Sequence, residues 1–135
     1  MIDKKKILVV DDDVQLVDTV KTLLESVGYE VYYAYQASKG IDLAKSEKPD
    51  LILLDVMFAG QPGPDGFEVS REIKEDPELK DIPIIILSGI RKVMNFPFEL
   101  KPDETWMPVK AFLEKPIKPN VLLEKIENIL KGSTS

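Results

Sequence analysis

The sequence predicts one α/β domain built on a parallel sheet with helices on both faces. Short, unbroken apolar runs recur: Ile7-Leu8-Val9-Val10, Leu51-Ile52-Leu53-Leu54 and Ile84-Ile85-Ile86-Leu87. Strands covered on both faces read this way. Between the runs, apolar residues recur at helical spacing, and such β-α alternation implies right-handed crossovers. Each run also closes on a polar residue. Asp11 and Asp12 follow the first, Asp55 the second, Ser88 the third, and Lys115 follows Phe112-Leu113-Glu114. In a parallel sheet the strand C-termini line one edge, where ligands bind. Residues far apart in sequence should therefore meet there.

The elements follow in order. Residues 6–11 read as the first strand. Val14, Val17, Val20, Leu24 and Val27 form a helical stripe, closed by Gly28. Asp12 or Asp13 is placed to cap this helix, and Asp13 is the better choice because it stands directly before the stripe. Residues 30–35 are rich in β-formers and make the second strand. Residues 37–47 give a short amphipathic helix carrying Ile41 and Ala44 and stopped before Pro49. Residues 50–55 form the third strand, and 67–75 a helix ended by Asp76-Pro77. Residues 83–88 form the fourth strand and 109–114 the fifth. Residues 118–131 form the last helix, with Leu122, Ile126 and Ile129 facing inward. The domain thus spans residues 1–131, and 132–135 are a flexible tail.

Two segments break the rhythm. Gly60-Gln61-Pro62-Gly63-Pro64 is a turn-rich loop after the third strand. Residues 89–108 should hold a fourth helix but contain Pro97, Pro102 and Pro108. Proline inside a helix costs about 3 kcal/mol or more, so one regular helix cannot fill this stretch. A short helix or turn plus an irregular segment packed by Phe96, Phe98, Leu100 and Trp106 is expected.

Composition narrows the chemistry. The chain has 135 residues, 44% hydrophobic and 31% charged, the balance of an ordinary globular domain. No apolar run approaches the roughly 20 residues that span a bilayer, and Lys4-Lys5-Lys6 is followed by too short an apolar run for a signal peptide. A cytoplasmic protein is expected, with no membrane partner. Cysteine and histidine are both absent. That excludes disulfides, thiolate or imidazole metal sites, Ser-His-Asp catalysis and phosphohistidine. Any metal must be held by oxygen, which favours a hard ion such as Mg²⁺. The net charge of −6 argues against direct nucleic-acid binding, which needs a basic face.

Three carboxylates at one strand edge repel each other and call for a cation. An Asp carboxylate can also attack phosphorus, giving an aspartyl phosphate. A transferring phosphoryl group spreads negative charge over its oxygens. Mg²⁺, an ammonium and a hydroxyl should then surround it. Lys115 and Ser88 supply the last two.

On these residues the chain resembles a receiver domain of two-component response regulators, of the single-domain chemotaxis-regulator type. The acid pair matches Asp11-Asp12, the phosphoacceptor Asp55, the hydroxyl residue Ser88 and the lysine Lys115 before Pro116. The Asp65-Gly66 pair also fits, and the resemblance covers residues ~4–131. It implies a flavodoxin-like sheet of order 2-1-3-4-5, an order the receiver fold illustrates generally. It further implies that Asp12 and Asp55 bind Mg²⁺ directly, with Asp11 acting through water and the Met57 backbone carbonyl as a third protein ligand. Lys115 would pair with Asp55 or the phosphoryl group, and the bond before Pro116 would be cis. Phe112 takes the switch-aromatic position. The donor would be a sensor histidine kinase or phosphotransfer protein. Output would pass to a separate protein, since four residues follow the last helix. No enzymatic turnover is implied beyond slow self-dephosphorylation.

The chain departs from the family pattern twice. The stretch from Asp55 to Asp65-Gly66 is about three residues longer than usual and lacks the familiar Met-Pro step. Residues 89–108 are broken by proline, and Trp106-Met107-Pro108 stands where Gly-Ala is usual. Three other functions compete. One is a receiver-fold interaction module that is never phosphorylated, against which the intact acid pocket argues. Another is an aspartate-nucleophile phosphatase using Asp11 and Asp13, which leaves Asp55, Ser88 and Lys115 without a task. A flavin-binding domain needs a Ser/Thr-rich first loop to cradle phosphate, and this loop carries three aspartates.

Overall fold

A computed structural model describes residues 4–55, 66–88, 111–114 and 117–131. In chain order they form β1 (Lys6–Val10), α1 (Val14–Ser26), β2 (Glu30–Ala34), α2 (Ala37–Glu47), β3 (Leu51–Asp55), α3 (Gly66–Glu75), β4 (Ile84–Ser88), β5 (Ala111–Glu114) and α4 (Pro119–Lys131). The strands make one parallel sheet of order β2-β1-β3-β4-β5. This is the predicted order, with strand boundaries shifted by one or two residues.

Strand alternation explains why the runs are continuously apolar. Leu8, Val10, Ile52, Leu54, Ile84 and Ile86 pack into one core with Ile41, Ala44, Val69 and Ile73 from α2 and α3. Ile7, Val9, Leu51, Leu53, Ile85 and Leu87 pack into the other with Val17, Val20 and Leu24 of α1 and Leu122 and Ile126 of α4. Successive side chains point to opposite faces, and here each face has its own helical layer. Burying one such side chain contributes about 1.5–3 kcal/mol.

The helix ends follow local chemistry. Asp13 caps α1: its carboxylate accepts a hydrogen bond from the Leu16 N–H at 3.0 Å. Gly28, at φ 103°, turns the chain out of α1, a conformation that costs glycine nothing. At the end of α2, Lys48 takes φ 48° without that freedom. Two members of the predicted α1 stripe do not face the core. Val14, the first residue of α1, is 57% exposed, and Val27, its C-cap, 53%. Ile129 is half-buried against the core rather than sealed in it.

α2 rides close on β1. A Cβ added at Gly40 would stand 2.7 and 2.8 Å from the two γ-carbons of Val10. The absence of a side chain there lets the helix seat over β1, which carries the acid pair at its end. The irregular segment predicted for 89–108, the loop of residues 60–64 and the tail lie outside the described residues.

Candidate acidic site at the carboxyl edge of the sheet

β1 and β3 are neighbours, with Val10 opposite Leu54. The residues after them therefore emerge side by side. Asp11 continues the parity of Ile7 and Val9, and Asp55 that of Leu51 and Leu53, so register directs both toward the α1 and α4 face. Asp11 is fully buried, Asp55 is 4% exposed and Asp12 is half-buried. One carboxylate oxygen from each of Asp11, Asp12 and Asp55 falls in a group whose members all lie within 4.8 Å of one another.

The loop that carries the acid pair is held by backbone bonds. The Asp11 N–H donates to the Ala34 carbonyl at 3.1 Å, tying the end of β1 to the end of β2. The Asp13 N–H donates to Asp11 Oδ1 at 2.9 Å. Asp13 thus serves twice, capping α1 with its side chain and steadying Asp11 with its amide. The sequence points only to the first role, because the second depends on how the loop turns.

The acid group fits a divalent cation on the chemistry of its donors. Three carboxylates this close repel strongly where water is largely excluded. Oxygen donors alone suit Mg²⁺, which takes one or two carboxylates and keeps several waters. Asp12, the half-buried member, leaves the group open to solvent on one side.

The remaining predicted site residues are placed in part. Ser88 closes β4 one residue beyond Leu87, the register partner of Asp55. Ser88 in turn faces Glu114 at the end of β5, and Phe112 faces Ile86. Met57, Lys115 and Pro116 lie outside the described residues, as does any cis bond at Pro116. Among the described residues, no helix is long and apolar enough to cross a membrane.

A parallel sheet of this order, carrying buried carboxylates at its carboxyl edge, defines the doubly wound class that binds ligands at the switch point of the strands. The family model for the response regulator receiver domain matches residues 7–127, and the chain belongs to that family. Solved structures agree. The N-terminal domain of a response regulator receiver protein from Methanoculleus marisnigri JR1 is 31% identical, with 93% of this chain and 95% of that one covered and a TM-score of 0.63. A CheY-like receiver domain protein from Methanospirillum hungatei JF-1 is 28% identical, covers 96% of each chain and gives 0.77. The chemotaxis response regulator CheY4 of Vibrio cholerae is 25% identical over 94% of this chain and 99% of that one, at 0.76.

Proposed function

We propose that this receiver domain of two-component signalling is a phosphoacceptor switch, modified on Asp55. The observation that carries the reading is the close grouping of the Asp11, Asp12 and Asp55 carboxylates at the carboxyl edge of the sheet. These residues contain no histidine, so a phosphohistidine donor lies outside them, on a sensor kinase or phosphotransfer protein. An Asp55 carboxylate oxygen attacks phosphorus, the O–P bond forms, the P–N bond breaks, and the donor imidazole leaves with the bonding electron pair.

The chain's own groups divide the work. Asp12 and Asp55, with Asp11 acting through water and the Met57 carbonyl as a third protein ligand, would hold Mg²⁺. The metal would neutralise the carboxylates and the incoming phosphoryl oxygens. Burial keeps Asp55 largely dry, which strengthens every charge interaction made there. The Asp13 amide holds Asp11 in place. Ser88 donates its hydroxyl to the phosphoryl group, Lys115 pairs with its charge, and Phe112 reports the change through its rotamer. Pro116 orients Lys115.

Incubation with acetyl phosphate and Mg²⁺ should add one phosphoryl group by intact mass, and Asp55→Asn should abolish the addition. Labelling that survives the substitution would refute Asp55 as acceptor. A wild-type protein that takes no label, alone or from a histidine kinase, would favour the interaction-module reading.

A further inference from the structure

β2 is the outer strand of the sheet, and the parallel register shows which way its backbone faces. Glu30 donates to the Lys5 carbonyl, and Ala34 accepts from the Asp11 N–H. In a parallel pair, alternate residues make both bonds to the neighbour. Glu30, Tyr32 and Ala34 therefore face β1, while Val31 and Tyr33 turn their N–H and C=O groups to the open edge. Among the described residues no strand pairs with that edge. Proteins normally blunt such an edge with charge, proline or a bulge. β2 has no proline or glycine, and its one charged residue, Glu30, turns its backbone to β1 and takes the Tyr32 hydroxyl with its carboxylate.

Beside this edge runs a groove of about 590 Å³, walled by Tyr33, Ala34 and Tyr35 on one side and Leu43 of α2 on the other. Tyr33 and Tyr35 are 42% and 38% exposed, and their rings lie 5.4 Å apart. The rim carries Lys39 and Asp42. Each of these makes no ion pair with another described residue.

We propose that this edge and groove receive the same strand of a second copy, forming an antiparallel β2–β2 seam across a two-fold axis. The charge pattern selects this occupant. The chain carries six more acidic than basic residues, so two copies repel over most of their surface. The rim is neutral, with one cation and one anion. A two-fold seam that sets Lys39 of one copy beside Asp42 of the other makes that pair twice, whereas a strongly charged partner would find only half a match. Open backbone groups supply the seam's hydrogen bonds, and the tyrosines supply apolar area.

Sedimentation of unphosphorylated protein from about 10 µM to about 1 mM brackets a weak interface of modest area. Dimer should form with rising concentration, and amide exchange at Val31 and Tyr33 should slow as it does. Tyr33→Lys should give monomer with an unchanged circular dichroism spectrum. Lys39→Glu and Asp42→Lys should each raise the dissociation constant about tenfold, the effect of losing one modest ion pair at each of two symmetric contacts. The double variant Lys39→Glu/Asp42→Lys should restore it. A wild type that stays monomeric throughout overturns the proposal, as does a dimer indifferent to Tyr33→Lys. Capture of an unrelated extended peptide by a monomeric wild type would also overturn it.

Discussion

At the scale of single residues, three consecutive aspartates do three different things. Asp11 is buried and held by the Asp13 amide, Asp12 is the half-exposed member of the carboxylate group, and Asp13 caps α1. Their substitutions should separate cleanly. Asp13→Ala should lose about 1 kcal/mol of stability, the usual worth of an N-cap, yet keep most of its Mg²⁺ affinity. Asp12→Ala should lose Mg²⁺ binding with little loss of stability in metal-free buffer. Calorimetric titration and chemical denaturation read the two quantities; equal losses of Mg²⁺ affinity would show that the register at the strand end has been misread. Tyr32, on the core side of β2, offers a pH test. Its hydroxyl donates to the Glu30 carboxylate, and that bond, with burial second, pushes the phenol from 10.0 up to about 12. A raised folded value stabilises the protonated form. The contribution is therefore complete below pH 10 and lost as pH climbs through about 12. Wild type should thus lose stability relative to Tyr32→Phe across that window, as followed by denaturation midpoints, and a constant difference would contradict it.

At the scale of elements, the helices are seated by small details that periodicity does not reveal. The helical stripe of α1 is visible in the sequence, but its two ends, Val14 and Val27, are exposed. A period tells which face turns inward but not how far along the helix the burial extends. Gly40 is the sharper case. In an exposed helix, Gly→Ala gains about 1 kcal/mol of helix propensity. Here the added methyl meets Val10 well inside contact distance. Overpacking a stiff, buried, β-branched neighbour costs about 1–3 kcal/mol. Gly40→Ala should therefore destabilise the protein by up to about 2 kcal/mol. Adding Val10→Ala should recover part of that loss, through the coupling expected of residues in contact. Equilibrium unfolding of the four proteins in that cycle measures both terms. Additive losses would mean that α2 shifts to accommodate the methyl.

At the scale of the whole molecule, two buried layers impose the convergence of the site. β1 and β3 lie at the centre of the sheet with both faces covered, so their ends are held rigidly. Much of this was legible in advance. Leu51-Ile52-Leu53-Leu54 read as a strand buried on both faces, which put the aspartate after it at the carboxyl edge. The strand order came from resemblance to a family, not from spacing, because β-α alternation alone fits several orders. Less legible was the depth of each carboxylate. Asp11 and Asp12 are adjacent in sequence, yet one is sealed and the other half-open, since the loop turns between them. The open edge at β2 was not legible either, because an apolar, tyrosine-rich strand reads the same whether or not another strand lies beyond it.

The sequence by itself determined the alternation of strands and helices, the oxygen-only chemistry of any metal site, and the identity of the polar residues at the strand ends. These follow from local pattern and from which residue types are present at all. Only the tertiary structure decided that one carboxylate oxygen each of Asp11, Asp12 and Asp55 lie within 4.8 Å of one another, that Gly40 sits against Val10, and that among the described residues no strand pairs with the outer side of β2. Those are relations between segments distant in the chain. They depend on strand register and helix seating, which arise when two cores pack at once and which no local stretch of residues specifies.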